Sequence, residues 1–577
     1  MESHPCPPLN KEVVANDMRI HSIPILSWLP AYREGWLRLD LTAGLTTSAV
    51  IIPKAMAYAT IAGLPVEIGL YTALVPMAIY AVLGTSRPLS VSTTTAIAVL
   101  TASELALAVP GRNSTELMAA ATTLALLVGA VLVLAWILKL GFLANFISAP
   151  VLTGFKAGIG VIIVVDQAPK LLGIHFSKSG FFRDLGSIVG HIPDTVTPTL
   201  ILSLVTLALL IGLEYRLPRV PAPLLAVAVG IAVSGLIGLG AMGVELVGNI
   251  PSGLPSFELP DLSLVQKLWP AALGIGLMSF TESVAAGRAF TQYGEPRPDA
   301  NQELLALGLG NLAGGFFQIM PAGGGTSQTA VNRGAGARTQ VSELITVAIV
   351  VAALLFLAPM IRLMPQATLA AVVVATSLPL INPAEFREIR QIRSLEFWWA
   401  VAAITGVILL GALAGILVAV VISMLAMIHQ ANHPRVYVIG RKRGTDVFRP
   451  LSPEHPDDET FPGLLIVRTE GRIHFANAQR VGDKLWPLVH EMKPRVLLID
   501  CRAIPDFEYT ALTMLADAEQ KLRESGITLC LAALNPEALR VIRHSPIGKT
   551  LGRDRLFTTV REAVSTYQKQ LEMEQRG

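Results

Sequence analysis

Two ionisable residues stand inside long apolar runs: Lys54 in Ile-Ile-Pro-Lys-Ala-Met-Ala-Tyr and Glu282 in Met-Ser-Phe-Thr-Glu-Ser-Val. A charge in such a run is costly, and where it persists it marks a substrate or ion path. The alternatives are a structural buried ion pair or snorkelling side chains. Two further stretches are polar or glycine-rich amid apolar sequence: Ser90-Val91-Ser92-Thr93-Thr94-Thr95 and Gly323-Gly324-Gly325-Thr326-Ser327-Gln328-Thr329. Each reads as the start of a half-helix. A helix N-terminus exposes free N–H groups and about half a positive charge, so two facing ends make an anion cradle with few charged side chains. Transporters with broken helices hold substrate at the membrane midplane in this way. The competing explanation is that small residues here only allow close helix packing.

The elements that must position these residues are apolar. The chain has 577 residues, 52% hydrophobic and 15% charged, where soluble domains run at about a quarter charged. Apolar stretches follow one another from about residue 41 to residue 430. At roughly 20 residues per spanning helix they predict about fourteen segments of an α-helical polytopic membrane protein. The stretches at 368–380 and 413–426 are crowded enough to be short or discontinuous. Eleven lysines and arginines, from Arg87 to Arg393, fall in loops assigned to the cytoplasm, and six, from Arg112 to Arg362, in loops assigned outside. That bias predicts cytoplasmic N- and C-termini in the plasma (inner) membrane. The polar N-terminus lacks a short apolar core followed by cleavage residues, so no cleaved signal peptide is expected.

After His433 charged residues become frequent, Pro450, Pro453 and Pro456 mark a link, and apolar runs shorten. Residues 464–467, 496–499 and 527–531 read as buried strands and 511–523 as an amphipathic helix, implying a small α/β sheet. The expected organisation is a cytoplasmic segment (1–39), a transport domain (40–432), a soluble domain with its linker (433–570) and a tail (571–577).

Other chemistries find little support. A formal charge of +3 with no basic run gives nucleic acid no footing as a partner. Cys6, Cys501 and Cys530 are too far apart for a disulfide framework or a zinc site. No spaced nucleophile and base, metal cluster or phosphate loop points to an enzyme, and no cofactor is expected. Gly308-Leu309-Gly310 with Gly314 mimics a dinucleotide loop but lies in a membrane segment, where packing explains it better. His429 and His433 stand at i and i+4 without a third ligand. Asn113-Ser114-Thr115 is a glycosylation sequon.

The chain resembles the sulfate permease (SulP) family, whose members join a membrane anion transporter to a C-terminal STAS domain. The resemblance rests on Asp40-Leu41-Thr42-Ala43-Gly44, Ala57-Tyr58-Ala59, Ala62-Gly63-Leu64-Pro65, Gly69-Leu70-Tyr71, Gly84-Thr85-Ser86-Arg87, Thr329-Ala330-Val331-Asn332 and Ala335-Gly336-Ala337-Arg338-Thr339-Gln340. It implies two inverted seven-segment repeats, a core moving against a gate, and an anion held between the third and tenth segments. By position, Ser327 matches the family's anion contact, Thr94 lies in the opposing half-helix, Tyr58 matches an aromatic lining position, and Glu282 matches an acid tied to cation coupling. With Lys54, Thr95, Thr326 and Gln328 these residues make up the expected substrate site, Glu282 being the ion-coupling group. A homodimer and an unknown cytoplasmic partner of the STAS domain are also implied.

Three departures stand out: Lys54 where relatives often have Ile-Pro-Gln, Gln328 after Ser327 where they often have Ser-Arg, and Ser92-Thr93 in place of a Gly-Pro. The fixed positive charge thus moves from the tenth segment to Lys54 on the first. Glu282 is expected to neutralise Lys54 in the empty site, and a proton or sodium ion on Glu282 to free Lys54 for an anion. The leading function is secondary active transport of sulfate, bicarbonate or dicarboxylate by alternating access. An uncoupled exchanger or channel is one alternative, and a sensor signalling through its STAS domain is another. The STAS stretch Phe507-Glu508-Tyr509-Thr510-Ala511-Leu512 falls where relatives often have Asp-Ser/Thr-Thr/Ser-Gly and makes Thr510 a candidate phosphorylation site, the alternative being a dimerising or partner-binding role.

Overall fold

The computed structural model describes residues 23–110, 113–145, 148–176, 180–217, 221–248 and 253–576. Cys6, the loop charges Arg112, Lys178 and Arg219, and most of the expected N-terminal segment lie outside the described residues. The chain divides into two units, Met1–Ser423 and Met424–Gly577.

The first unit is helical. Its main helices are α1 (Glu34–Ile61), α2 (Val66–Leu83, interrupted at residues 73–74), α3 (Thr95–Ala108), α4 (Ser114–Ile137), α5 (Ala149–Leu172), α6 (Thr197–Arg216) and α7 (Ala222–Ile237). A second set of seven follows: α8 (Val265–Ala289), α9 (Ala300–Gly314), α10 (Thr326–Gly334), α11 (Val341–Phe356), α12 (Gln366–Ser377), α13 (Ser394–Leu410) and α14 (Ala412–Ala431), whose last residues fall in the second unit. Helix α1 begins at Glu34, so residue 39 falls inside it rather than at a boundary. The stretch 368–380 is indeed discontinuous: α12 gives way to a 3-10 turn at Leu378–Leu380.

Packing partners recur with a period of seven segments. α1 lies against α11 as α8 lies against α4, α2 against α11 as α9 against α4, and α5 against α13 as α12 against α6. An odd number of segments per repeat makes the second enter the membrane from the opposite side, which is the inverted arrangement. The contacts gather α1–α4 with α8–α11 as one group, the core, and α5–α7 with α12 and α13 as another, the gate. Small residues set the closest crossings. A Cβ on Gly69 would sit 1.9 Å from the Ala55 carbonyl oxygen, and one on Gly129 2.4 Å from the Leu312 nitrogen. Gly308 faces Val133 at the same α4–α9 crossing, a packing role and not a nucleotide loop.

In the second unit, β3 (Val436–Arg441), β4 (Phe448–Pro450), β5 (Leu464–Thr469), β6 (Val496–Asp500), β7 (Thr528–Ala532) and β8 (Leu556–Phe557) form one sheet in the order 4-3-5-6-7-8. Strands β5 to β8 are parallel and β3 is antiparallel to both its neighbours. Period-two alternation builds two faces. Leu465, Val467, Leu497, Leu529 and Leu531 pack with α15 (Ala478–Met492), α16 (Tyr509–Glu524) and α17 (Pro536–His544). Leu464, Ile466, Leu498 and Cys530 pack with α18 (Val560–Arg576) on the other face. Thr510 is exposed in the first turn of α16, beside the fully displayed Tyr509.

Candidate functional site

Both expected half-helices are present. Before α3 the chain is extended at β1 (Val91–Ser92), before α10 at β2 (Gly323–Gly324), and these two-residue strands pair antiparallel. The extended residues are needed because a helix cannot start again without an N-cap of non-helical backbone. Thr94 is that cap for α3, its Oγ1 accepting the Ile97 N–H. Further bonds join the breaks: Ser92 Oγ donates to Gln328 Oε1 at 3.0 Å, and the Gly325 N–H donates to the Ser90 carbonyl at 3.1 Å. Two helix starts therefore converge on one place, that of α3 buried at Thr94 and that of α10 open at Thr326 and Ser327.

Neighbouring helices fasten the breaks. On α8, Ser279 Oγ donates to the Ala322 carbonyl at 2.7 Å and Ser283 Oγ accepts the Gly324 N–H at 2.6 Å. Asn311 on α9 grips both polar groups of Ala322. Around the third-segment break, Gln340 donates to the carbonyls of Ser86, Arg87 and Leu89, Asn332 to that of Pro88, and Glu343 accepts from Ser90 Oγ at 3.0 Å. Glycine is required in β2, where a Cβ on Gly324 would meet Leu89 at 2.8 Å and Ser283 at 3.0 Å. Ser279, Ser283 and Asn311 stand out in apolar segments of the sequence, but the anchoring role of all these residues depends on segments far apart in the chain.

Between core and gate lies a cavity of about 790 Å³. All eight expected residues line it: Lys54, Tyr58, Thr94, Thr95, Glu282, Thr326, Ser327 and Gln328. Lys54 Nζ donates to Ser327 Oγ at 2.5 Å, Thr94 Oγ1 donates to Glu282 Oε2 at 2.8 Å, and Thr95 Oγ1 donates to Tyr58 Oη at 3.1 Å. Lys54 and Glu282 each lie seven residues before the last residue of their helix. The repeat thus explains their bonds: the residue on α1 reaches the break before α10, and its counterpart on α8 reaches the break before α3.

One expectation is overturned. Among the described residues no ion pair joins Lys54 to Glu282, because the internal symmetry turns each toward a different break. Further charges stand across the cavity instead, Lys156 on α5 and Glu214 near the end of α6. Lys156, Glu214 and Glu385 also line the cavity and were not singled out from sequence. The signal that marks Lys54 marks Lys156 too, as a lone lysine in the apolar run Thr153-Gly154-Phe155-Lys156-Ala157-Gly158.

A model of the sulfate permease family matches residues 37–403, and one of the STAS domain matches residues 455–563. A probable sulfate transporter of Mycobacterium tuberculosis is 34% identical over 542 residues, covering 93% of this chain and 96% of its own. Among solved structures, murine Solute Carrier 26 family member A9, described as an anion transporter in the inward-facing state, aligns with a TM-score of 0.85 at 22% identity. That alignment covers 98% of this chain and 100% of the murine one. The transmembrane domain of the bicarbonate transporter BicA from a cyanobacterium aligns with a TM-score of 0.60 at 24% identity, covering 67% of this chain and 98% of that domain. At these identities the two structures speak for the fold.

Proposed function

This chain belongs to the sulfate permease family and is an integral membrane anion transporter, and on that premise we propose that it is a secondary active transporter coupled to protons or sodium through Glu282. The observation that carries this reading is the cavity lining. Two lysines face three carboxylates there, so the ionised cavity repels an anion unless a carboxylate is neutralised. Glu282 is the carboxylate beside the helix starts, hydrogen-bonded to the N-cap Thr94. A proton or sodium ion on it removes a negative charge at short range, worth about 4 kcal/mol at 4 Å near a protein surface. The anion then sits on Lys54, Ser327 and the N–H groups of the two helix starts.

Alternating access fits the same geometry. The cavity mouth is formed by Thr46 in the first half of α1, Glu214 near the end of α6, Pro221 before α7 and Glu385 beyond α12, all on the side where α1 begins. With the positive-inside assignment that side is the cytoplasm, so this conformation faces inward. On the opposite side Lys170 near the end of α5 donates to the Thr60 carbonyl near the end of α1 at 3.0 Å, holding gate to core. The substrate is a small oxyanion or carboxylate: sulfate, bicarbonate or a dicarboxylate.

The test is uptake into proteoliposomes of labelled sulfate, bicarbonate and a dicarboxylate, with pH and sodium gradients imposed separately. Wild-type protein is expected to accumulate one of them uphill under one gradient. Glu282→Gln should lose accumulation and keep downhill movement. Uphill uptake by Glu282→Gln with unchanged pH and sodium dependence would defeat the proposal.

A further inference from the structure

Lys156 is half-buried on α5, faces the cavity from the gate, and has no hydrogen-bond or ion-pair partner among the described residues. A lysine partly removed from water and left without a partner is expensive. It persists where the partner is not a part of the chain. Glu282, the carboxylate beside the helix starts in the same cavity, is already bonded to Thr94 on the core side. The remaining ionisable groups facing the cavity are Lys54 and Tyr58 on α1, Glu214 on α6 and Glu385 beyond α12. Lys54 is engaged by Ser327 on the core side, so the two cations stand on opposite walls of the cavity.

We propose that Lys156 is the gate-side half of the anion site: Glu282 holds it electrostatically in the empty cavity, and neutralising Glu282 releases it to share the anion with Lys54 and the two helix starts. This rests on the reading of Glu282 as the coupling acid. It adds a consequence that the core residues alone do not have. An anion held by Lys54 touches only the core, whereas one held by both lysines joins the two moving parts and draws the gate onto the core. Binding then drives closure, and an unloaded carrier with ionised Glu282 lacks that bridge.

The proposal is tested by equilibrium binding of labelled sulfate to the full-length protein in detergent, at fixed pH and sodium. If wild-type vesicles take up bicarbonate or the dicarboxylate instead, that anion is the probe. Lys156→Met should weaken binding by about tenfold or more, and Lys156→Arg should stay within about threefold of wild type. Glu282→Gln should bind the anion severalfold tighter, because the competitor for Lys156 is gone. The double variant should bind no tighter than Lys156→Met alone. Unchanged affinity in Lys156→Met, or a double variant that keeps the tightening of Glu282→Gln, would overturn the role. If Lys156→Met is not monodisperse, Lys156→Gln and Lys156→Arg in the Glu282→Gln background give the same comparison. Uphill uptake by Glu282→Gln overturns the coupling reading instead, and is scored separately in vesicles.

Discussion

Thr94 does two things with one hydroxyl: its oxygen caps α3 and its proton goes to Glu282. A neutral Glu282 can donate rather than accept, which would free the Thr94 proton to face an anion. Thr94→Val should therefore cost about 1 kcal/mol in cap energy and flatten the dependence of uptake on the coupling ion, while Thr94→Ser keeps both properties. Uptake measured across a pH and a sodium series separates these outcomes, and a Val variant with wild-type dependence would remove Thr94 from the coupling path. Lys54→Met should abolish anion binding at concentrations that saturate wild type, since it removes the core-side charge. Binding of labelled anion to the purified variant checks this. At this scale much was legible: a charge inside an apolar run is costly enough to stand out, so Lys54 and Glu282 declare themselves. Their partners were not, because Lys54 meets Ser327 and Glu282 meets Thr94 only when segments far apart in the chain arrive at one cavity.

The two helix breaks show why element-level chemistry is harder to read than element identity. Polar and glycine-rich runs announce an interruption, yet β1 and β2 are only two residues each. Hydrophobic periodicity needs a longer window than that. Their pairing is set instead by Ser279, Ser283, Asn311, Gln340 and Asn332, single polar residues outside the breaks themselves. Close helix crossings are a second constraint of this kind. Gly69→Ala places a methyl carbon 1.9 Å from a backbone carbonyl oxygen, so α1 and α2 must move apart, an overpacking cost of about 1–3 kcal/mol. Gly35, with nothing within 4 Å of an added Cβ, is the matched control on α1. The fraction of detergent-purified protein surviving a heat challenge, read by gel filtration, should fall for Gly69→Ala and hold for Gly35→Ala; equal losses would mean that the crossing is not a packing constraint. In the second unit the three central strands β5, β6 and β7 were readable as short apolar runs, since both faces of the sheet are covered there, whereas β3, β4 and β8 were not read.

At the scale of the molecule, core and gate meet around a cavity that reaches the face where α1 begins, while Lys170 and Thr60 join them on the other. The repeat is visible in the recurring packing partners, which no single segment's sequence reveals. The inward-facing reading makes a directional prediction about access. Native thiols leave a quiet background for testing it once Cys6 is replaced by Ser. Burial pushes the Cys530 thiol up to about 11, and burial with the neighbouring Asp500 carboxylate pushes Cys501 higher still. The reactive thiolate of each is therefore scarce at neutral pH and becomes available only as the pH rises toward those values. Thr376 lines the cavity from α12 and bonds only carbonyls of its own helix, so Thr376→Cys is a mild replacement. In inside-out vesicles a membrane-impermeant thiosulfonate should modify this cysteine, and in right-side-out vesicles it should react far more slowly. Substrate together with the coupling ion should slow the inside-out reaction, because closure of the gate onto a loaded core removes the path from the cytoplasm. Labelling confined to right-side-out vesicles would reverse the assigned orientation, and labelling indifferent to substrate would mean that the loaded cavity does not close.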